Sequence, residues 1–263
     1  GTLSPQQVAA LRVNPDVANV EPDRKIFVDP KSMGNPTTQT AGEMPPGVKR
    51  IDGDKSPTAN TPGGVDVDVA VIDTGINLKH KELNVVDNVS FVDGVTSGDD
   101  DNGHGSHVAG TIGARSDGSG VVGVAPGARL WAVKVLGGDG GGTLSGVAAG
   151  IDYVTKNDDK IEVANMSLGG RFKSQVIDDA ISNSVDAGVT YIVAAGNDSI
   201  DAENFTPANH PKVMAVSAVT DTDGIAGGKG SSCDWSETDD KFASFSNHGE
   251  KVKIAAPGSC VQS

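Results

Sequence analysis

The chain has 263 residues, 35 of them acidic against 21 basic, for a formal net charge of −14. That length buries a sizeable core and suits one domain plus an appendage. The acidity argues against a nucleic-acid or anionic-membrane binder and suits a soluble protein that binds cations, although a solvated acidic surface accounts for most of the carboxylates.

Ser4-Pro5 predicts the cap and start of a helix with Val8 and Leu11 on one face, stopped by Asn14-Pro15. Val17 to Asp23 reads as a short strand running out to an edge. Residues 29–46 are polar and broken by Met33-Gly34-Asn35-Pro36 and Met44-Pro45-Pro46, which is linker composition. Residues 1–28 are therefore expected to stand apart from the rest of the chain.

From Val65 onward, strands and helices alternate. Val65 to Asp73 passes from alternation into a continuous apolar run, as in a strand buried on both faces of a parallel sheet. Asp73 ends that strand, and open α/β sheets place their chemistry at carboxyl ends of strands. The polar loop Asp100 to Gly103 then delivers His104 to a helix carrying Val108, Ala109 and Ile112. This junction predicts that His104 is partly exposed and that His107 faces inward. Asp99-Asp100-Asp101 reads as a solvated charge run. Ala128 to Leu136 is the next strand, followed by the loop Gly137 to Gly142 and a helix with Leu144, Val147, Ala148, Ile151 and Val154 on one face.

Val163 to Leu168 is a strand closed by Gly169-Gly170. A helix with Val176, Ile177, Ala180, Ile181 and Val185 inward comes next, capped by Ser174 and ended by Gly188. Val189 to Ala195 and Val213 to Val219 are strands. Gly224 to Asp240, glycine- and acid-rich with Cys233 and Trp235, reads as a loop insertion. Strand character resumes at Phe242 to Phe245 and Val252 to Ala256. The βαβα order indicates a parallel sheet with helices on both faces and right-handed crossovers. The two cysteines, Cys233 and Cys260, permit one disulfide or two free thiols. No apolar run approaches a membrane span.

A positioned histidine can take and return a proton near neutral pH, and a carboxylate such as Asp73 can orient it and stabilise its protonated form. Asp73-Thr74-Gly75 and His104-Gly105-Ser106-His107-Val108-Ala109-Gly110 together resemble the subtilase (subtilisin-like) serine peptidases, with Ser106 where threonine is usual. The order Asp, His, Ser is the one known for subtilisin. The resemblance implies a subtilisin-like, doubly wound α/β fold and an endopeptidase in which His104 is general base then acid, held by Asp73. The family's third motif, Gly-Thr-Ser-Met-Ala, does not occur, and neither Ser259 nor Ser263 sits in such a context. The chain is accordingly expected to be a fragment without its nucleophile, inactive alone.

Other roles also rest on the resemblance. Ala194-Ala195-Gly196-Asn197 is by itself a turn after a strand; the family reading makes Asn197 an oxyanion donor. Gly140, Gly141 and Gly142, with Ser167, Leu168, Gly169 and Gly170, are by themselves post-strand turns. In the family such segments pair an extended polypeptide substrate between them, where glycine lets the backbones approach. Residues 1–28 resemble the C-terminal part of a propeptide, a small α+β folding helper and inhibitor of its own enzyme. Residues 29–46 would hold the maturation site, and 47–263 the catalytic domain without its C-terminal portion. Glu82 and Asp117 match calcium ligands by position, with carboxylate and carbonyl oxygens suiting that ion. No cofactor is required for the chemistry. Secretion is implied by the family; no signal peptide is visible from Gly1, where the chain begins in mid-pattern.

Three other readings compete. A non-catalytic peptide- or partner-binding chain of the same ancestry needs no reason to keep Asp73, His104 and Asn197 together. A nucleotide-binding α/β domain lacks its motif, because Gly137 to Gly142 has neither the P-loop ending nor Rossmann spacing. Zinc is disfavoured because His104 and His107 are three apart without the zinc-peptidase glutamate.

Overall fold

Strand β2 (Asp68–Asp73) is buried at every residue and lies inside a sheet of parallel strands. The computed structural model describes residues 2–28, 44–56, 64–232 and 237–263. Most of the 29–46 linker, together with Cys233 and Trp235, lies outside them. Along the chain come helix α1 (Pro5–Arg12), strand β1 (Lys25–Phe27) and helix α2 (Pro46–Arg50), then β2, β3 (Val85–Ser90) and α3 (His104–Gly113). They are followed by β4 (Arg129–Lys134), β5 (Gly141–Thr143), α4 (Leu144–Thr155), β6 (Val163–Met166) and α5 (Gln175–Asp186). Strands β7 (Thr190–Ala194), β8 (Met214–Thr220), β9 (Lys241–Phe242) and β10 (Val252–Pro257) complete the series.

The main sheet runs β10-β8-β7-β6-β2-β4-β3 in parallel, with β9 antiparallel on β8. The chain leaves β2 for β3 and β4 on one side, then returns to add β6, β7, β8 and β10 on the other. The order therefore reverses at β2, and the crevice beyond its carboxyl end is the expected ligand site of an open α/β sheet. Asp73 stands there.

Period-two alternation divides β2 between two cores. Val69 and Val71 pack with Ala109, Val108 and Ile112 of α3. Ala70 and Ile72 pack with Val147, Ile151 and Val154 of α4 and with Ile177 and Ile181 of α5. Helices thus cover both faces, as the element order indicates. Ile151 is fully buried at the centre of the larger core, so Ile151→Ala should cost about 2–5 kcal/mol in denaturant unfolding, through lost burial and the cavity left behind. Among the described residues no helix is long and apolar enough to cross a membrane.

The helix ends match the sequence closely. Ser4 and Gln7 form a reciprocal capping box on α1, and Ser174 caps α5 by accepting from the Ile177 N–H. Other expectations need correction. Val17 to Asp23 is not a strand: Pro22 lacks an N–H, Glu21 and Asp23 turn to helix N-termini instead, and the ladder starts at Lys25. Phe242 to Phe245 shrinks to the two-residue β9, since Ser244 N instead donates to the Glu237 carboxylate, 3.1 Å from Oε1. Part of the glycine loop, Gly141–Thr143, is itself a strand. Strand β3 has no counterpart in the sequence reading, because an edge strand with Val86, Asp87 and Asn88 exposed carries no clear alternation.

Candidate active site

Helix α3 begins at His104, directly over the β2 turn. Gly105 makes the approach possible: a Cβ there would stand 2.0 Å from the Gly75 carbonyl oxygen. Asp73 is fully buried and His104 only 6% exposed. His104 is thus not the partly exposed side chain expected from the polar loop, and His107 is only half-buried. The reason is tertiary: docking α3 on the β2 turn covers most of the His104 side chain and leaves a small part of it at the cleft.

The His104 Nδ1 lies 2.7 Å from Asp73 Oδ1, an oxygen that also accepts from the Thr74 N–H at 2.7 Å. A carboxylate accepts, so Nδ1 carries the proton and Nε2 is left as the basic nitrogen. Burial by itself lowers the His104 pKa, but the hydrogen bond and charge of Asp73, with Asp100 adding, leave it raised above the ordinary value. Burial lowers the pKa of His107, whose Nε2 donates to the Val261 carbonyl at 3.2 Å.

Asp100 and Asp101 are structural rather than a solvated run. Asp100 accepts from the Asn102, Gly103 and Ser106 N–H groups and from the Ser106 and Thr74 hydroxyls. Burial raises its pKa, and these bonds overcome that and hold it below the usual carboxylate range. The Thr74 hydroxyl in turn accepts from Gly105 N–H at 2.9 Å, so one network ties the histidine loop to the β2 turn. Asp101 pairs at 2.6 Å with Lys134, a fully buried lysine whose Nζ also donates to the Thr74 carbonyl. Lys134 escaped the sequence reading; a lysine in the apolar run Leu130 to Leu136 was the available signal, since a buried ammonium requires partners.

A cleft of ≈ 770 Å³ opens beside the pair, lined in part by His104, Ser167, Leu168, Gly169 and Asn197. Asn197 comes just after β7. Its loop is held by the fully buried Asn247, which accepts from the Asp198 and Ile200 N–H groups and donates to the Ala195 carbonyl at 2.8 Å. Nothing local in the sequence marks Asn247 for this task.

The chain's own β1 enters this cleft. Lys25, Ile26 and Phe27 pair antiparallel with Thr143, Gly142 and Gly141, and Phe27 bridges to Gly169 on the other side. Val28 N–H donates to the Gly140 carbonyl at 3.0 Å. The two glycine segments therefore flank one extended strand, and Ile26 is almost wholly covered, at 2% exposure. Just before it, Asp23 accepts from Ser145 N–H at 3.0 Å at the start of α4, and Glu21 accepts from Gln175 N–H at 2.6 Å at the start of α5. Carboxylates at helix N-termini meet unpaired N–H groups and the positive dipole end. Burial works against the Glu21 charge, but the bonds from Ser174, Gln175 and Asn19 hold its pKa below the usual range.

Of the remaining sequence candidates, Glu82 is half-buried and Asp117 exposed, with Asp117 Oδ1 accepting from Ser119 N–H at 3.0 Å. Cys260 is disulfide-bonded.

Known proteins share this sequence pattern. The Subtilase family matches residues 64–263. M-protease of Shouchella clausii (strain KSM-K16) is 37% identical over 263 residues, covering 99% of this chain and 60% of its own length. Alkaline serine exoprotease A of Vibrio alginolyticus is 38% identical over 99% of this chain and 45% of its own length. Subtilisin Savinase of Lederbergia lenta is 39% identical over 85% of this chain and 75% of its own length. The chain thus spans 60% or less of the first two. The crystal structure of a cold adapted subtilisin-like serine proteinase superposes with a TM-score of 0.64 at 38% identity, over 79% of this chain and 68% of that one.

Proposed function

Because the chain belongs to the subtilase family, we propose that the complete protein is a serine endopeptidase that hydrolyses peptide bonds in polypeptides, with Asp73 and His104 as two of its three catalytic groups. The observation that carries this reading is the buried 2.7 Å Asp73–His104 contact beside a cleft that already pairs an extended strand. Asp73 holds the proton on Nδ1, so that Nε2 faces the reaction as the base. Nε2 would take the proton from a serine hydroxyl as its oxygen attacks the peptide carbonyl, and the imidazolium would be stabilised by Asp73 and Asp100. The same proton passes to the leaving amine, and a water repeats the cycle on the acyl-enzyme. Asn197 would donate its amide to the oxyanion. We place the serine outside these 263 residues because the family's Gly-Thr-Ser-Met-Ala motif does not occur in them and neither Ser259 nor Ser263 sits in such a context.

Residues 1–28 act in this reading as the inhibitory end of a propeptide, with β1 in the substrate's place. Supplied as a peptide to the matured enzyme, Glu21→Gln with Asp23→Asn should raise the inhibition constant roughly 10- to 100-fold, as charge-assisted bonds at two helix ends are weakened. An unchanged constant would locate the docking in β1 alone.

A structural calcium at Glu82 and Asp117 belongs to the same proposal. Glu82 Oε2 is buried and accepts no hydrogen bond, which suits a carboxylate oxygen that ligates a hard cation. The ion would stabilise the loop and take no part in the chemistry.

The direct test is to treat the full-length protein with a serine-reactive fluorophosphonate and map the modified residue by mass spectrometry, alongside a peptide-hydrolysis assay. One labelled serine, with labelling and hydrolysis abolished in His104→Ala, is expected. Absence of both in the wild-type protein would leave a peptide-binding chain as the better account.

A further inference from the structure

The Gly224 to Asp240 insertion starts and ends on carboxylates. Asp221 and Asp223 come after β8 on the outgoing stem, and Asp239 and Asp240 precede β9 on the returning one. One ligand oxygen from each of Asp221, Asp223 and Asp239 lies within 4.8 Å of the others. Oxygens bound to one calcium ion at about 2.4 Å each stand at most about 4.8 Å apart, so these three are close enough to share one ion.

An acidic cluster by itself means little; the burial makes this one different. Asp221 is 4% exposed and Asp239 1%. Asp221 Oδ1 accepts from Gly224 N–H at 2.6 Å, while its buried Oδ2 accepts no hydrogen bond. Arg50 of α2 stands near, with Nε 3.4 Å from that oxygen and Nη2 3.0 Å from Asp240. One guanidinium thus faces two carboxylates, and among the described residues no salt bridge reaches Asp223 or Asp239. Buried charges need compensation of opposite sign.

The loop backbone also aims the carboxylates. Asp239 is fixed by Thr222 N–H at 2.9 Å, the Thr222 hydroxyl at 3.1 Å and Gly230 N–H at 2.8 Å. A Cβ on Gly230 would stand 2.1 Å from the Thr222 hydroxyl oxygen and 2.8 Å from Asp239 Cγ, so the stems close this tightly only with glycine.

We propose that Asp221, Asp223 and Asp239 form a calcium site that clamps the two stems of the insertion together. Main-chain carbonyls and water complete the six to eight oxygens that calcium takes. The ion balances the carboxylates that Arg50 leaves unpaired, and it joins the insertion stems to the start of the domain through the Arg50 pairs. The site is independent of the one at Glu82 and Asp117 and of the peptidase chemistry.

The test uses the full-length protein carrying His104→Ala, to prevent self-digestion, and counts bound calcium by equilibrium dialysis beside thermal unfolding. Asp223 is only half-buried, so Asp223→Asn is nearly isosteric and should fold while binding one calcium fewer. Asp223→Lys places a tethered ammonium among the carboxylates. It should lose the same ion yet melt in chelator at or above the parent's chelated temperature. Glu82→Gln is counted separately and leaves this ion in place. Unchanged stoichiometry in both Asp223 variants would overturn the proposal, as would a parent whose melting temperature ignores calcium.

Discussion

Asp73→Asn in the complete, matured enzyme is expected to lower kcat about 10⁴-fold with little change in KM, the loss known when this carboxylate is neutralised in a serine peptidase triad. The cause is specific to the geometry. Asp73 Oδ1 lies 2.7 Å from Nδ1 in a fully buried setting. An asparagine there can turn its N–H₂ to the ring, which favours the tautomer with the proton on Nε2 and removes the base. Even with its oxygen toward the ring, it lacks the charge that stabilises the imidazolium. The pH profile separates this role from mere packing. The pKa of His104 is raised above 6.5 by Asp73 against the pull of burial, so activity in the wild type should fall as pH drops through that raised value. In Asp73→Asn the acid limb should move to lower pH.

The same pair bears on stability. A raised folded-state pKa means that the His104 contribution is present in full below the unfolded value of about 6.5 and is lost as pH rises through the folded value. Asp73→Asn should remove that dependence from denaturant-unfolding curves. A variant with wild-type turnover, or with an unmoved acid limb, would dismiss Asp73 from the mechanism.

Asn197→Ala should lower kcat roughly 10²- to 10³-fold, the effect known for loss of one oxyanion donor in subtilisin, and leave KM nearly unchanged. A neutral amide fixed before the reaction needs little reorganisation as charge develops on the carbonyl oxygen, and it contributes more in the transition state than with bound substrate. Asn197 lines the same cleft as His104, and its loop is tied down by Asn247. Steady-state kinetics on a short peptide substrate decide the matter. A rise in KM with kcat intact would make Asn197 a substrate contact instead.

Much of this arrangement was legible in the chain itself. A continuous apolar run ending in Asp73, the caps at Ser4 and Ser174, and the 3.6-residue face of α4 all express local preferences that hold wherever the segment is placed. The alternation of such segments was enough to indicate a parallel sheet covered on both faces, and the two short motifs were enough for the family. The glycines at 140–142 and 169 read by themselves only as post-strand turns, and it is the family resemblance that makes them the walls of a cleft, where close backbone approach excludes side chains.

Tertiary structure decided the rest, wherever a polar group's environment depends on partners far along the chain. Polar neighbours predict a partly exposed His104, yet α3 packed on the β2 turn buries it against Asp73, 31 positions away. Asp100 and Asp101 looked like a solvated run until Thr74 and Lys134 were brought to them. Glu21 and Asp23 sit in a stretch that reads as a strand, and only the helix N-termini of α5 and α4 draw them out of one. Local sequence determines period, caps and turns because those energies arise within a few residues. The burial of a charge is determined by whichever groups the sheet order delivers to it, and no window of sequence contains them.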